Sequence, residues 1–177
     1  MASFTERLIG AAKLDVHTYD EVEADATATT QAMAVVLISS VAGGIGSLGL
    51  GVSGGAGLVA GGLAALVSWV VWAFLTYVIG TRLLPEPQTH ADMGQLLRTL
   101  GFAQAPGIAR MLAGLPGVGP LVIVVVSLWM FAAMVIAIRQ ALDYTSVWRA
   151  VGVCFIGWII VLIPTAIILS MVGPGTT

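Results

Sequence analysis

Charge is scarce in this sequence, and its placement says more than its amount. Asp, Glu, Lys and Arg make up only 9% of the 177 residues, and no Asp, Glu, Lys, Arg or His occurs between Asp25 and Arg82. A soluble domain needs charged residues throughout to cover its surface, so that class is excluded. The seven basic residues are scattered singly, which excludes a nucleic-acid footprint. Cysteine is limited to Cys154, so no intramolecular disulfide can form, and its setting in an apolar run marks it as a small buried side chain. Histidine is limited to His17 and His90. With no cysteine near either, neither a metal site nor any other cofactor is expected, and no Ser, His and Asp grouping for catalysis can be drawn. The N-terminal 31 residues mix acids with bases where a signal peptide would carry a basic start and an unbroken apolar core, so they are expected to stay on the mature protein.

What the sequence has in abundance is apolar chain. Hydrophobic residues reach 58% and the mean hydropathy is +1.01, values that define an integral membrane protein. The expected fold is all-α: a polytopic membrane helical bundle with five transmembrane helices and a short N-terminal amphipathic helix. Residues 1–30 form a cytoplasmic N-terminal segment, 31–172 the membrane domain and 173–177 a short tail, with spans near 31–50, 58–79, 96–115, 121–139 and 147–172. Phe4, Leu8, Ile9 and Ala12 recur at helical spacing with Glu6, Arg7 and Lys13 elsewhere on the wheel, which predicts a helix lying on the membrane surface. The acidic run Tyr19 to Asp25 reads as a solvated helix start favoured by the helix dipole.

Small residues supply the expected helix contacts. Ser39, Gly43, Ser47 and Gly51 fall at four-residue intervals, as do Gly57, Gly61 and Ala65. Such stripes allow close backbone approach in lipid, which predicts a tight hairpin through the glycine-rich turn "GVSGGAG". Gly44, Gly46 and Gly49 also match the GxGxxG of dinucleotide-binding folds, but the next acid is Glu86, far beyond the spacing that a ribose contact needs. Pro85 and Pro87 break any helix and place His90 and Asp92 in a loop. Trp69, Trp72, Trp129 and Trp158 lie near span middles, leaving Trp148 as the interfacial anchor.

The segment "RTLGFAQAPGIARML", Arg98 to Leu112, sets the crossing count. If it crosses, a cytoplasmic N-terminus puts Arg7, Lys13, Arg82, Arg98, Arg139 and Arg149 inside and Arg110 alone outside, as the inside bias of positive charge requires. With four spans Arg139 and Arg149 would move outside. Gln104 and Pro106 make this span a poor one by itself, because the proline leaves a carbonyl one turn earlier without its partner. It is expected to pack against other spans, with Gln104 bonding across; interrupted helices also bind ligands in transporters. Arg110 is expected to reach the outer surface through its long side chain.

The lead-in "YDEVEADATATTQA", the segment "LLRTLGFAQAPG" and the later "IAIRQAL" before a last apolar span together resemble the bacterial-type branch of the Yip domain family. The resemblance runs from about Tyr19 to the last span. It implies five helices, a cytoplasmic N-terminus and a C-terminus on the opposite side. Eukaryotic members bind small Rab-type GTPases, but their characteristic segments near the first span are not evident here, so that partner is not carried over. The Ala, Gly and Val bias, taken with the branch of the family that the chain resembles, implies a bacterial inner membrane. The expected function is that of a non-enzymatic scaffold or accessory subunit that binds other membrane proteins or itself and organises the bilayer. The alternative is a small transporter or channel built on the Gln104 and Pro106 break.

Overall fold

The computed structural model describes residues 2–50 and 57–172, the side chains of 57, 58 and 164–172 aside. Among the described residues every regular element is helical: α1 (Phe4–Ala12), α2 (Val16–Ala24), α3 (Ala28–Gly49), α4 (Gly57–Val78), α5 (Met93–Phe102), α6 (Gly119–Ala141) and α7 (Val147–Val172). A π turn (Ile79–Leu83) extends α4, and a 3-10 segment (Ala105–Gly114) follows α5. Three of these helices, Ala28–Gly49, Val59–Leu83 and Gly119–Ala141, are long and apolar enough to cross a membrane. The chain is an all-helical membrane protein.

Two capping boxes start the shorter helices. Ser3 and Glu6 exchange side-chain and backbone bonds at the head of α1, and Asp92 with Gln95 does the same for α5. Each pair satisfies two N–H groups that a helix start leaves open. Asp15 accepts from the His17 N–H at the head of α2, and Leu14, at φ 63°, turns the chain between α1 and α2.

The acidic run is therefore a helix of its own and not the first turn of the first span. Tyr19 and Val22 of α2 are fully buried, and the Tyr19 hydroxyl donates to the Ala11 carbonyl. The expected surface helix, α1, is likewise packed on protein: Phe4, Leu8 and Ala12 lie against the core cluster. Arg7 points inward, with only 2% of its surface exposed.

α3 shows a clean division of faces. Ala28, Ala32, Val35, Ser39, Ala42 and Gly46 are buried, whereas Met33, Ile38, Val41, Ile45 and Leu48 are exposed. The buried face meets α5 and the 3-10 segment along its length. Gly101 lies against Ala32, Gly107 against Ser39, the Arg110 carbonyl against Gly46, and Gly114 against Gly49. The two segments run parallel and nearly backbone to backbone, because a Cβ at Gly46 or Gly49 would collide with the backbone of Arg110 or Gly114, and one at Gly107 with Ser39.

The segment expected over 96–115 is thus not one helix. α5 ends at Phe102, and Pro106 stands in the first turn of the 3-10 segment, where its missing N–H costs nothing. α5 rises about 15 Å and the 3-10 segment about 20 Å, so together they match α3, whose 22 residues rise about 33 Å. The glycine-rich turn with Gly51, the Pro164 side chain and the 173–177 tail lie outside the described residues.

Candidate functional site

One end of the bundle is held by ionic and polar bonds. The Arg7 guanidinium donates to Glu21 at 2.8 Å, to Asp25 at 2.7 Å and to Gln31 of α3 at 3.1 Å. Burial works against the Arg7 charge, but the bonds from Glu21 and Asp25 outweigh it and raise its pKa. Asp25 accepts from the Thr27 hydroxyl and N–H as well as from Arg7, which together hold its carboxyl at about 2. Arg98, buried in α5, closes the same C-terminal end of α2 by donating to the carbonyls of Val22 and Glu23. A cation there satisfies carbonyls that α2 leaves open and complements its dipole.

A second network joins the loop after α4 to the α6–α7 turn. Glu86 accepts from the Thr145 N–H and hydroxyl and pairs with Arg149 at 3.2 Å. The Tyr144 hydroxyl donates to the carbonyls of Gly80 and Leu84, and burial pushes it up to about 12. Gln140 bonds Asp20, and Gln88 bonds the Asp143 carbonyl. All nine acids and every base but Arg110 belong to α1, α2 or segments at this end. His17 and His90 are among them, and no group of three or more metal-ligating side chains occurs among the described residues.

The other half of the bundle holds a cavity of about 680 Å³ between α3, α4, the α5 break, α6 and α7. Its polar lining is Ser39, Ser40, Ser47, Ser68, Gln104 and Arg110; its apolar lining includes Trp69, Trp72, Ile123, Met134 and Trp158. Volume and lining fall within the range of small-molecule sites. Ser40 donates to the Gly61 carbonyl at 3.3 Å and Ser47 to the Gly44 carbonyl at 2.8 Å. The side chains of Ser39, Ser68, Gln104 and Arg110 form no bond among the described residues, which leaves their donors to the cavity.

The residues singled out in the sequence fall on both sides of this description. Ser39 and Gly43 face the 3-10 segment: Gly107 lies on Ser39, and the Arg110 Cδ lies 3.7 Å from where a Gly43 Cβ would stand. Gly61 has nothing within 4 Å of an added Cβ, while its neighbour Gly62 has Leu37 at 3.4 Å. Gly57 begins α4, and its side-chain surroundings lie outside the described residues. Gly44, Gly46 and Gly49 are inside helix α3, with no strand before them. Gln104 and Pro106 stand at the break as expected, but Gln104 lines the cavity and Pro106 is buried.

Two features escape a reading by hydropathy. The inward turn of Arg7 depends on α2 folding back, for which Ser3-x-x-Glu6 and Asp15 before Val16 are the local signals. Arg110 is partly buried and lines the cavity. Its stem crosses Gly43, six residues before the end of α3, or about 9 Å inside it. An uncompensated arginine at the centre of a span costs about 3 kcal/mol on insertion scales.

The mid-span tryptophans resolve into separate roles. Trp69 donates to the Leu97 carbonyl at 3.0 Å, just before the break, and Trp129 donates to the Ala12 carbonyl at 2.8 Å. Trp158 meets Phe131 at a tilt and Phe155 edge to face, and Trp72 packs on Gly157 with its indole N–H buried and unbonded among the described residues. Trp148 is 82% exposed. Comparison with protein-family models, curated proteins and solved structures gives no match to this chain.

Proposed function

We propose that this chain is a five-crossing, non-enzymatic membrane protein of the bacterial-type Yip branch, acting as a scaffold or accessory subunit in a bacterial inner membrane. The N-terminus and the polar end lie in the cytoplasm, and the C-terminus lies on the opposite side. The crossing count draws support from the parallel course of Met93–Gly114 beside α3, which α4 separates from it in the chain as a return crossing, and the orientation from the gathering of six of the seven basic residues at one end.

One observation carries the scaffold role: α1 and α2 are locked onto the bundle through Arg7, Arg98 and Gln140, which gives the polar end a fixed shape. A preorganised surface avoids the ordering cost of binding. Nine acids against six bases make it net acidic, so it suits a basic protein surface and is repelled by anionic lipid.

Photo-crosslinkers placed at the exposed positions His17 and Ala24 test this in living cells. Discrete heavier species are expected from these sites and not from Val124 on the lipid-facing side of α6. Absence of such species from every cap position contradicts the scaffold role. The cavity at Gln104 favours the second reading, a transporter: a solute flux in reconstituted vesicles that Gln104→Leu abolishes at unchanged stability would replace the first.

A further inference from the structure

We propose that the cavity between α3, α4 and the α5 break binds an anionic amphiphile, with its oxyanion at Arg110 and its apolar chain against Trp69, Trp72 and Trp158. The inference goes beyond the scaffold role and takes from the five-crossing reading only the depth of Arg110 within the bilayer.

Charge is the first ground. The nine acids belong to α1, α2, the loop after α4 and the α6–α7 turn, and none of them pairs with Arg110 among the described residues. Its guanidinium forms no ion pair or hydrogen bond among the described residues. Ionisable groups inside a membrane are found paired or facing a wet cavity, and they mark ligand paths. Here the missing partner is an anion from outside the chain. An arginine fork suits the paired oxygens of a phosphate or a carboxylate.

Geometry is the second. Gln104, Ser39 and Ser68 bring unbonded donors to the same cavity from the α5 break, α3 and α4. The break at Ala103 and Gln104 is what turns an amide toward the interior at this level. The remaining wall is largely aromatic and aliphatic. A free inorganic anion would leave that wall uncovered, whereas an acyl or alkyl chain would fill it.

The test uses the full chain in phosphatidylcholine nanodiscs, with dodecyl phosphate, phosphatidylglycerol and inorganic phosphate as separate probes. Trp69, Trp72 and Trp158 line the cavity, so tryptophan fluorescence reports occupancy, and native mass spectrometry counts bound molecules. Dodecyl phosphate or phosphatidylglycerol should bind one per chain and raise the melting temperature. Arg110→Gln should weaken that binding at least tenfold, Arg110→Lys and Gln104→Leu severalfold, and Arg82→Gln at the polar end not at all.

Arg110→Lys keeps the charge and serves if Arg110→Gln fails to fold. Binding by dodecyl phosphate alone assigns a free amphiphile, and binding by phosphatidylglycerol assigns a bilayer lipid; either supports the site. Equal affinity for inorganic phosphate, or full retention of binding in Arg110→Gln and Arg110→Lys, overturns it.

Discussion

Arg7 shows how one side chain can set the shape of a terminus. It joins three elements by bonding Glu21 and Asp25 from the α2 side and Gln31 from α3. Replacing it with Met leaves two carboxylates without their cation. The expected loss is about 2 to 3 kcal/mol, toward the low end for a broken buried pair because Glu21 is partly open to water. Thermal unfolding in mild detergent measures it, and Arg7→Lys should recover part of the loss. Glu23 makes the opposite contribution. Burial raises its carboxyl to about 7, with Asp143 and Asp20 adding to the effect and Arg98 opposing it. In the unfolded chain the group titrates near its ordinary value of about 4.3. Between those values the native protein keeps a proton that the unfolded chain has lost. Stability is therefore full below about pH 4.3 and falls as pH rises through about 7, by an amount of order 1 kcal/mol for a partly solvated group. Glu23→Gln should remove that part of the slope, as melting temperatures at pH 5 and pH 8 will show; an unchanged slope contradicts the assignment.

At the scale of elements, the long apolar helices were legible because hydropathy and length suffice for them: expected spans at 31–50, 58–79 and 121–139 correspond to α3, α4 with its π turn, and α6. The short elements were not. α2 is too polar to show a membrane signal, and its bonds to Arg7, Arg98 and Gln140, which no local pattern reveals, hold Tyr19 and Val22 in the core. The small-residue stripe was legible as a contact surface, but a stripe does not name its partner. α3 turns it toward the 3-10 segment, whose own Gly107 and Gly114 allow the backbones to approach. The cavity was foreshadowed by Gln104 and Pro106, while Arg110 was hidden by the general ability of arginine to reach a membrane surface. A direct comparison follows. Gly46→Ala and Gly49→Ala force atoms against the backbone of Arg110 and Gly114 and should cost about 2 kcal/mol each. Gly61→Ala meets open space and should be neutral or slightly stabilising in a helix. Equal losses at all three positions, measured by thermal unfolding, would place the close contact between α3 and α4 instead.

For the molecule as a whole, the decisive question is whether Met93–Gly114 passes from one membrane surface to the other. The account holds that it does, in two short pieces instead of one helix, lying along α3 from Ala32 to Gly49. Everything else at this scale depends on it: the sidedness of the polar end, the depth of Arg110 and the position of the cavity. The loop at His90 and the turn at Leu115 flank the segment, and both residues are accessible on the folded protein, with Leu115 53% exposed. Cys154 is fully buried, so the natural thiol gives little background. His90→Cys and Leu115→Cys proteins, treated in intact spheroplasts with a membrane-impermeant maleimide, therefore report the two sides separately. The account predicts rapid labelling of Leu115→Cys, and labelling of His90→Cys only after the membrane is permeabilised. Labelling of both from the same side, before or after permeabilisation, would contradict it.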